Sequence, residues 1–487
     1  MSLKQKTVNG LVWSFVDSFA NQGINFVVGI ILARLLSPDE FGLIGMITIV
    51  ISLSGVFIDS GFSNALICKK EVTQADYSTV FFFNLFVGVL AYFALFFSAG
   101  AISLFFQEPE LKPLVQVLGL SILISSLTLI QRVQLTKRID FKLQTRISVI
   151  ASVCSGFIGI TMAYYGYGVW SLVYKQLAQE VLISLFFWLW NGWKPSWIFD
   201  KASFKEMFGF GSKLLASSLI DTIYQNIYYL IIGKYFSAAE LGYYTRADQF
   251  RKLPSQNITG VIQRVSYPVL ASIKDDVPRL KASYKKLIKG TMLISFVLMI
   301  GMAAVAEPMV HTLIGDKWLP SVVYLQLLCF VGMFYPIQAL NLNMLNVQGR
   351  SDLFLRLEII KKLLAIPTII AGIYFGIKVM IMGMMVNTLI AYYLNSYWSG
   401  KFIEYSIVEQ IKDILPAFIL ASVSGIVVYF TGEVLNTSHV ITLAIQITVG
   451  ALFTIGVAEM IKLEDYLYLK GILIEKFTKP KYGASVR

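Results

Sequence analysis

Residues 31–43 read ILARLLSPDEFGL, and residues 231–243 read IIGKYFSAAELGY. Ile31, Ser37, Glu40 and Gly42 recur in register as Ile231, Ser237, Glu240 and Gly242. Leu32, Arg34 and Phe41 are answered by Ile232, Lys234 and Leu241. The match extends backwards. Asp17-Ser18 followed by Asn21-Gln22 is echoed by Asp221-Thr222 followed by Gln225-Asn226. The shift between the copies is four residues larger here than in the loop, about one helical turn.

The chain around this repeat is made for lipid. Of its 487 residues, 56% are hydrophobic and only 14% charged, where a soluble domain of this size carries about 25% charge. Mean hydropathy is +0.68. Apolar segments near the roughly 20-residue length that a bilayer demands predict fourteen spans: 9–33, 41–67, 78–104, 113–131, 147–165, 169–190, 208–232, 243–271, 287–306, 321–344, 359–375, 378–398, 413–430 and 440–460. Hydropathy alone rejects the eighth. The repeat supplies it, because 243–271 follows AELGY as 41–67 follows DEFGL.

Charge fixes the orientation. With fourteen spans and an internal N-terminus, most of the 41 Lys and Arg fall on cytoplasmic segments, as the positive-inside rule requires. The net charge of +12 is therefore a topology signal and implies no nucleic-acid partner. All eight tryptophans lie near span ends, as interfacial anchors do. No cleavable leader is expected ahead of the first span. Cys68, Cys154 and Cys329 show no metal spacing. His311 and His439 are far apart in sequence, so neither a zinc site nor a hydrolase triad can be assembled. No cofactor is expected.

Six spans separate the two copies, an even number, so both copies point the same way across the membrane. The expected fold is all-α: a parallel repeat of two six-helix lobes, 1–200 and 201–400, related by an axis along the membrane normal. Residues 401–487 add two helices and a basic cytoplasmic tail. Such lobes enclose a cavity. At 100° per residue the first span gathers Ser14, Asp17, Ser18, Asn21 and Asn25 on one face, and the seventh gathers Ser218, Asp221, Thr222 and Gln225. The eighth aligns Asp248, Lys252, Ser255, Gln256, Thr259, Gln263 and Ser266, with Asn257 beside them. A charge facing lipid costs at least ~2.5 kcal/mol, so these stripes face protein or water.

Arg246, Arg251, Lys252 and Arg264, with Lys175 of the sixth span, are the candidate cations of the cavity. Asn21, Asn25, Gln225, Gln256 and Asn257 are its candidate polar lining. Asp17 and Asp221 are candidates for ion coupling. Each has a plainer alternative. Ser14, Ser18 and Asn25 can serve as helix–helix hydrogen bonds. Arg34 and Lys234 can snorkel. Lys175 and Glu180 can neutralise each other. The aspartates can neutralise Arg246 or Lys175. A wet cationic cavity suits phosphate oxygens, with hydroxyls and amides for sugars.

The segments ARLLSPDEFGLIG, DSGFSNALICKKEVTQADYSTVFFFNLFVG, FFQEPELKPLVQVLG, YGYGVWSLV, LGYYTRADQFRKLP, AEPMVHTLIGDKWLPS and LNVQGRSDLFLRLEIIK together resemble those of the polysaccharide exporters. These are Wzx-type lipid-linked oligosaccharide flippases of the colanic-acid and teichuronic-acid branch, within the multidrug/oligosaccharidyl-lipid/polysaccharide superfamily. The charged RADQFRK departs from relatives that are more apolar there. The resemblance implies fourteen helices, alternating access and no enzymatic activity. It also implies an undecaprenyl-pyrophosphate-linked repeat unit as substrate, carried across the bacterial cytoplasmic membrane. The implied partners are that lipid-linked substrate, membrane lipid, and a polysaccharide polymerase with its chain-length machinery. A cation-coupled multidrug antiporter would fit Asp17 and Asp221 but usually has twelve helices. A membrane polymerase would expose a large outer loop that is absent here.

Overall fold

Ser37 and Ser237 each begin a helix, and the repeated Ser-x-x-Glu is the device that begins it. The Ser37 amide donates to Glu40 Oε2 at 2.6 Å, and the Glu40 amide donates back to Ser37 Oγ at 3.4 Å. The second copy repeats the pair at 3.3 and 3.2 Å. This reciprocal capping satisfies two amides that a helix start leaves bare. It explains why serine and glutamate recur at that spacing, which the sequence comparison registered without assigning a cause.

The computed structural model describes residues 3–59, 61–435 and 437–478. Among these, every regular element is a helix. Helix α1 is Leu3–Leu35. Helices α2 (Pro38–Asp59) and α3 (Phe62–Cys68) form one rod, broken near Gly61 at φ 71°. Next come α4 (Gln74–Phe106), a rod of α5 (Leu111–Leu118), α6 (Leu120–Ser126) and α7 (Leu129–Lys137), then α8 (Phe141–Tyr164), α9 (Trp170–Asn191), α10 (Lys201–Tyr235) and α11 (Ala238–Ser272). They are followed by α12 (Val277–Ala304), α13 (Ala306–Ile314), a 3₁₀ turn at Asp316–Trp318, and a rod of α14 (Ser321–Met333) and α15 (Tyr335–Val347). The chain continues with α16 (Ser351–Phe375), α17 (Ile377–Ile403), α18 (Ile407–Val434), α19 (His439–Met460) and α20 (Glu464–Thr478).

Each of the fourteen expected spans falls on one long helix or broken rod. Among the described residues, eleven of them are long and apolar enough to cross a membrane by length and composition alone. The other three, α10, α11 and α16, are 35, 35 and 25 residues long and carry more charge. The eighth span thus exists as a continuous helix even though its apolar content would not announce it.

By Cα proximity the chain groups into Met1–Thr245 and Arg246–Arg487. In the first unit, α1 packs on α8, α8 on α9, and α10 on α2 and α3. Gly61 is required where the α2–α3 rod meets α10, since a Cβ there would lie 2.6 Å from the Gly211 carbonyl oxygen. Phe62, Leu66, Val80, Phe81, Ile130 and Val133 form a buried cluster beneath this crossing. In the second unit, α12 is the central rod, lying against α14, α15, α18 and α20.

Candidate translocation site

In the first unit the polar face of α1 docks onto serines of α8. Asn21 Nδ2 donates to Asp17 Oδ1 at 2.9 Å and to Ser148 Oγ at 2.9 Å. Ser148 Oγ also donates to Asp17 Oδ1. Ser152 Oγ donates to Asn21 Oδ1 at 2.7 Å and accepts from Gln179 of α9 at 3.3 Å. One turn further along, Lys175 Nζ donates to Asn25 Oδ1 at 3.2 Å. The structure therefore brings Asp17, Asn21, Asn25 and Lys175 together in one seam through three helices. Ser148, Ser152 and Gln179 were not singled out from sequence. The Ser148-x₃-Ser152-x₂-Ser155 spacing of one helix face was the available signal.

Asp221 and Gln225, the repeat partners of Asp17 and Asn21, are exposed on α10. Asn226 there bonds back to the Thr222 carbonyl at 2.9 Å. The two copies thus share a pattern but not a setting. Lys234 is half-buried: its Nζ donates to the Phe105 carbonyl at 2.5 Å, at the end of α4, and lies 4.8 Å from the Phe105 ring. A cation at a helix C-terminus is favoured by the bare carbonyls there. The repeated basic residue in this copy is a helix cap.

In the second unit α11 splits its polar stripe lengthwise. Asp248, Ser255, Thr259 and Ser266 are buried, while Gln249, Gln256, Gln263 and Arg264 are exposed. Arg251 Nε and Nη2 donate to Asp248 Oδ1 at 2.9 and 2.5 Å, and Lys252 Nζ reaches Asp248 Oδ2 at 2.7 Å. Two of the candidate cations thus share an acidic partner from the same polar stripe. Asp248, three and four residues before Arg251 and Lys252, is their counter-ion, and the i,i+3/i+4 spacing was readable. Arg246 is 6% exposed, with its guanidinium 5.6 Å from the Trp318 ring and Nη1 donating to Gln249 at 2.7 Å. Arg251 lies along α14, where a Cβ on Gly332 would come within 2.8 Å of its Cγ. Arg246 and Arg251 are therefore packed into the unit. Lys252, about a third exposed, with Gln256 and Arg264, lies on the accessible edge. Asn257 Nδ2 donates to the Leu253 carbonyl at 2.6 Å, beside Pro254, whose ring removes one helix amide.

The second unit also holds an apolar cavity of about 420 Å³. Its walls include Met299 and Ile300 of α12, Phe330 of α14, and Phe418, Tyr429 and Phe430 of α18. A buried polar seam runs beside the same central rod: Tyr284 OH and Ser399 Oγ each donate to Asn341 Oδ1 at 2.7 Å, and Asn341 Nδ2 donates to Ser396 at 3.0 Å. The two histidines, distant in sequence, stack at 3.7 Å, and His311 Nε2 lies 2.6 Å from Asp316. Among the described residues no group of three or more His, Cys, Asp or Glu is placed to hold a metal.

Long apolar helices carrying internal polar seams and a half-buried cationic helix define a multi-pass, all-α membrane protein. The chain belongs to the family of polysaccharide biosynthesis proteins, whose model matches residues 31–323. It is 27% identical over 464 residues to the teichuronic acid biosynthesis protein TuaB of Bacillus subtilis (strain 168), covering 93% of this chain and 95% of that one. It is 26% identical over 374 residues to the lipopolysaccharide biosynthesis protein WzxC of Escherichia coli (strain K12), covering 76% of each. Among solved structures, the lipid II flippase MurJ in an inward closed conformation superposes with a TM-score of 0.75 at 16% identity, over 96% of this chain and 100% of that one. That likeness is one of fold.

Proposed function

We propose that this protein flips an undecaprenyl-pyrophosphate-linked oligosaccharide repeat unit across the bacterial cytoplasmic membrane by alternating access, with both termini cytoplasmic. One observation carries the reading. A 35-residue helix, α11, presents Lys252, Gln256, Gln263 and Arg264 along one accessible edge, in a chain where eleven other helices or rods among the described residues are apolar enough to span a membrane. Hydrocarbon does not tolerate such an edge, whereas phosphate oxygens and sugar hydroxyls match it. The family membership and the names of TuaB, WzxC and MurJ support a lipid-linked saccharide as the cargo. The cavity beside α18 offers an apolar wall for part of a polyprenyl chain. The work required is translocation of an intact molecule, so no residue is assigned to bond making or breaking.

The test is reconstitution of the full chain in vesicles holding an undecaprenyl-pyrophosphate oligosaccharide, with a membrane-impermeant lectin reading its appearance in the opposite leaflet. Protein-dependent appearance is expected, and its loss in Lys252→Gln/Arg264→Gln. Vesicles that move a cationic dye against a proton gradient, and leave the saccharide where it began, would instead establish the multidrug antiporter.

A further inference from the structure

Helix α8 carries a second pair of cations, set differently from the rest. Lys142 Nζ lies 5.7 Å from the Trp13 ring of α1, and the Arg146 guanidinium lies 5.2 Å from the Trp190 ring of α9. Both cations are exposed. Four residues apart, they share one helix face about 6 Å from each other. Among the described residues neither has a carboxylate partner, whereas Lys69, Lys281, Lys285 and Lys289 all do.

We propose that Lys142, Arg146, Trp13 and Trp190 form a binding site for the headgroup of an acidic glycerophospholipid, in the leaflet on the side of the 132–146 loop. The rings hold the two cations upright without neutralising them, since a cation over an aromatic face keeps its charge and its outward donors. Arg146 can grip two phosphate oxygens, and Lys142 adds a point charge one turn nearer the water. Beyond Arg146 the same face of α8 presents Val153 and Phe157, both exposed. The adjoining face of α9 presents Leu185 and Leu189, and Phe186 stacks on Trp190 at 4.8 Å. A phosphate at the cations would thus continue into acyl chains along these walls. The neighbouring side-chain amides are engaged within the protein, Gln144 Nε2 donating to Thr136 at 3.0 Å and Asn191 Nδ2 to Gln134 at 3.1 Å. This site is independent of the flippase reading.

The experiment uses the full-length protein extracted into mixed micelles and exchanged into nanodiscs of phosphatidylcholine with a rising fraction of dioleoylphosphatidylglycerol. Native mass spectrometry counts retained phosphatidylglycerol, and thermal unfolding reports stability. Near an acidic surface each basic residue strengthens binding roughly fivefold, so Lys142→Gln/Arg146→Gln should lose most of the retained lipid and of the phosphatidylglycerol-dependent rise in Tm. Its Tm in pure phosphatidylcholine should match the parent. Lys142→Arg and Arg146→Lys should keep the lipid, and Trp190→Leu should weaken retention with both charges intact. Equal phosphatidylglycerol retention by the parent and the glutamine pair would overturn the proposal. So would displacement of the lipid by millimolar inorganic diphosphate, which would mark a site that reads phosphate alone.

Discussion

Gly42 and Gly242 each stand where the other's helix begins. A Cβ on Gly42 would fall on the Ala238 carbonyl, and a Cβ on Gly242 would fall on the Pro38 carbonyl. The contact is reciprocal, as a two-fold relation between the copies requires, and it joins the starts of α2 and α11. Repetition of glycine at this place is a condition of backbone meeting backbone. The capping boxes at Ser37 and Ser237 fix the two helix starts that make this approach.

Gly42→Ala and Gly242→Ala should each prise this crossing apart. Overpacking of this kind costs about 1–3 kcal/mol, and backbone atoms cannot rotate out of the way. Gly23→Ala, whose added methyl meets nothing within 4 Å, is the matched control. We expect a lowered Tm and reduced export for the first two and neither for the third. A Gly42→Ala protein with parental Tm and export would show that the crossing is not held in the working molecule.

Asp248 and Lys252 should separate folding from transport. Asp248 is buried with both Arg251 and Lys252 upon it. Asp248→Asn removes the charge that both rely on, a loss that typically costs about 3–5 kcal/mol in a buried pair. Arg251, the more buried cation, bears most of it. Expression and Tm should fall together. Lys252→Gln removes a cation at the accessible edge and should lower transport with Tm nearly unchanged. If Lys252→Gln unfolds the protein while Asp248→Asn does not, the assignment of buried and accessible edges on α11 is reversed.

The contrast between α11 and the rods around it shows what was legible. Apolar runs such as 78–104 and 413–430 announce themselves, because lipid imposes length and composition on each helix alone. Helix α11 was visible only through its repeat, because its charges lower its hydropathy, while what accommodates them, Asp248 beside Arg251 and Lys252 and the Trp318 ring beside Arg246, does not register in composition. Asp17, Asn21, Asn25 and Lys175 were each legible as polar positions on their helices. Their meeting was not, because Ser148 and Ser152 lie more than a hundred residues away and nothing local states which helices pack together. Periodicity identifies a polar edge but not whether water, a serine or a carboxylate faces it.

Lys69 ties the loop after α3 to Asp76 at 3.1 Å and to Glu206 of α10 at 3.0 Å. The Glu206 hydrogen bond foremost, and then Asp76, raise its pKa above the ordinary 10.5, against the opposing effect of burial. A raised lysine stabilises the fold fully below its unfolded value and loses that contribution as pH climbs through the folded one. The Tm of Lys69→Met should therefore lie below the parent at pH 8, and the gap should close only above pH 10.5. A gap that persists undiminished well above pH 10.5 would assign the effect to the lysine's packing rather than its charge.

Orientation can be read with single cysteines in a variant lacking Cys68, Cys154 and Cys329. A cysteine at Lys281, in the basic 274–289 segment, should resist a membrane-impermeant maleimide in intact cells and react after permeabilisation. One at Glu110, in the loop between α4 and α5, should react in intact cells. Labelling of position 281 from outside would overturn the orientation, and with it the cytoplasmic placement of both termini.

Asp17 and Asp221 answer to the same sequence position and should answer differently to substitution. Asp17 is held by Asn21 and Ser148 in the α1–α8 seam, whereas Asp221 is exposed on α10. Removing a charged hydrogen-bond partner from such a seam costs about 1.5–3 kcal/mol. Asp17→Ala should therefore lower Tm, and Ser148→Ala should add little in the Asp17→Ala background, because both changes break one network. Asp221→Asn should fold normally. If α10 carries the coupling ion, that variant should bind the lipid-linked saccharide yet no longer respond to an imposed pH gradient in vesicles. Asp17→Asn, which keeps a polar oxygen in the seam, should retain the response. A doubly substituted Asp17→Asn/Asp221→Asn protein that moves substrate at the parental rate, with its gradient response intact, would remove both aspartates from the coupling mechanism and leave the first as a structural residue alone.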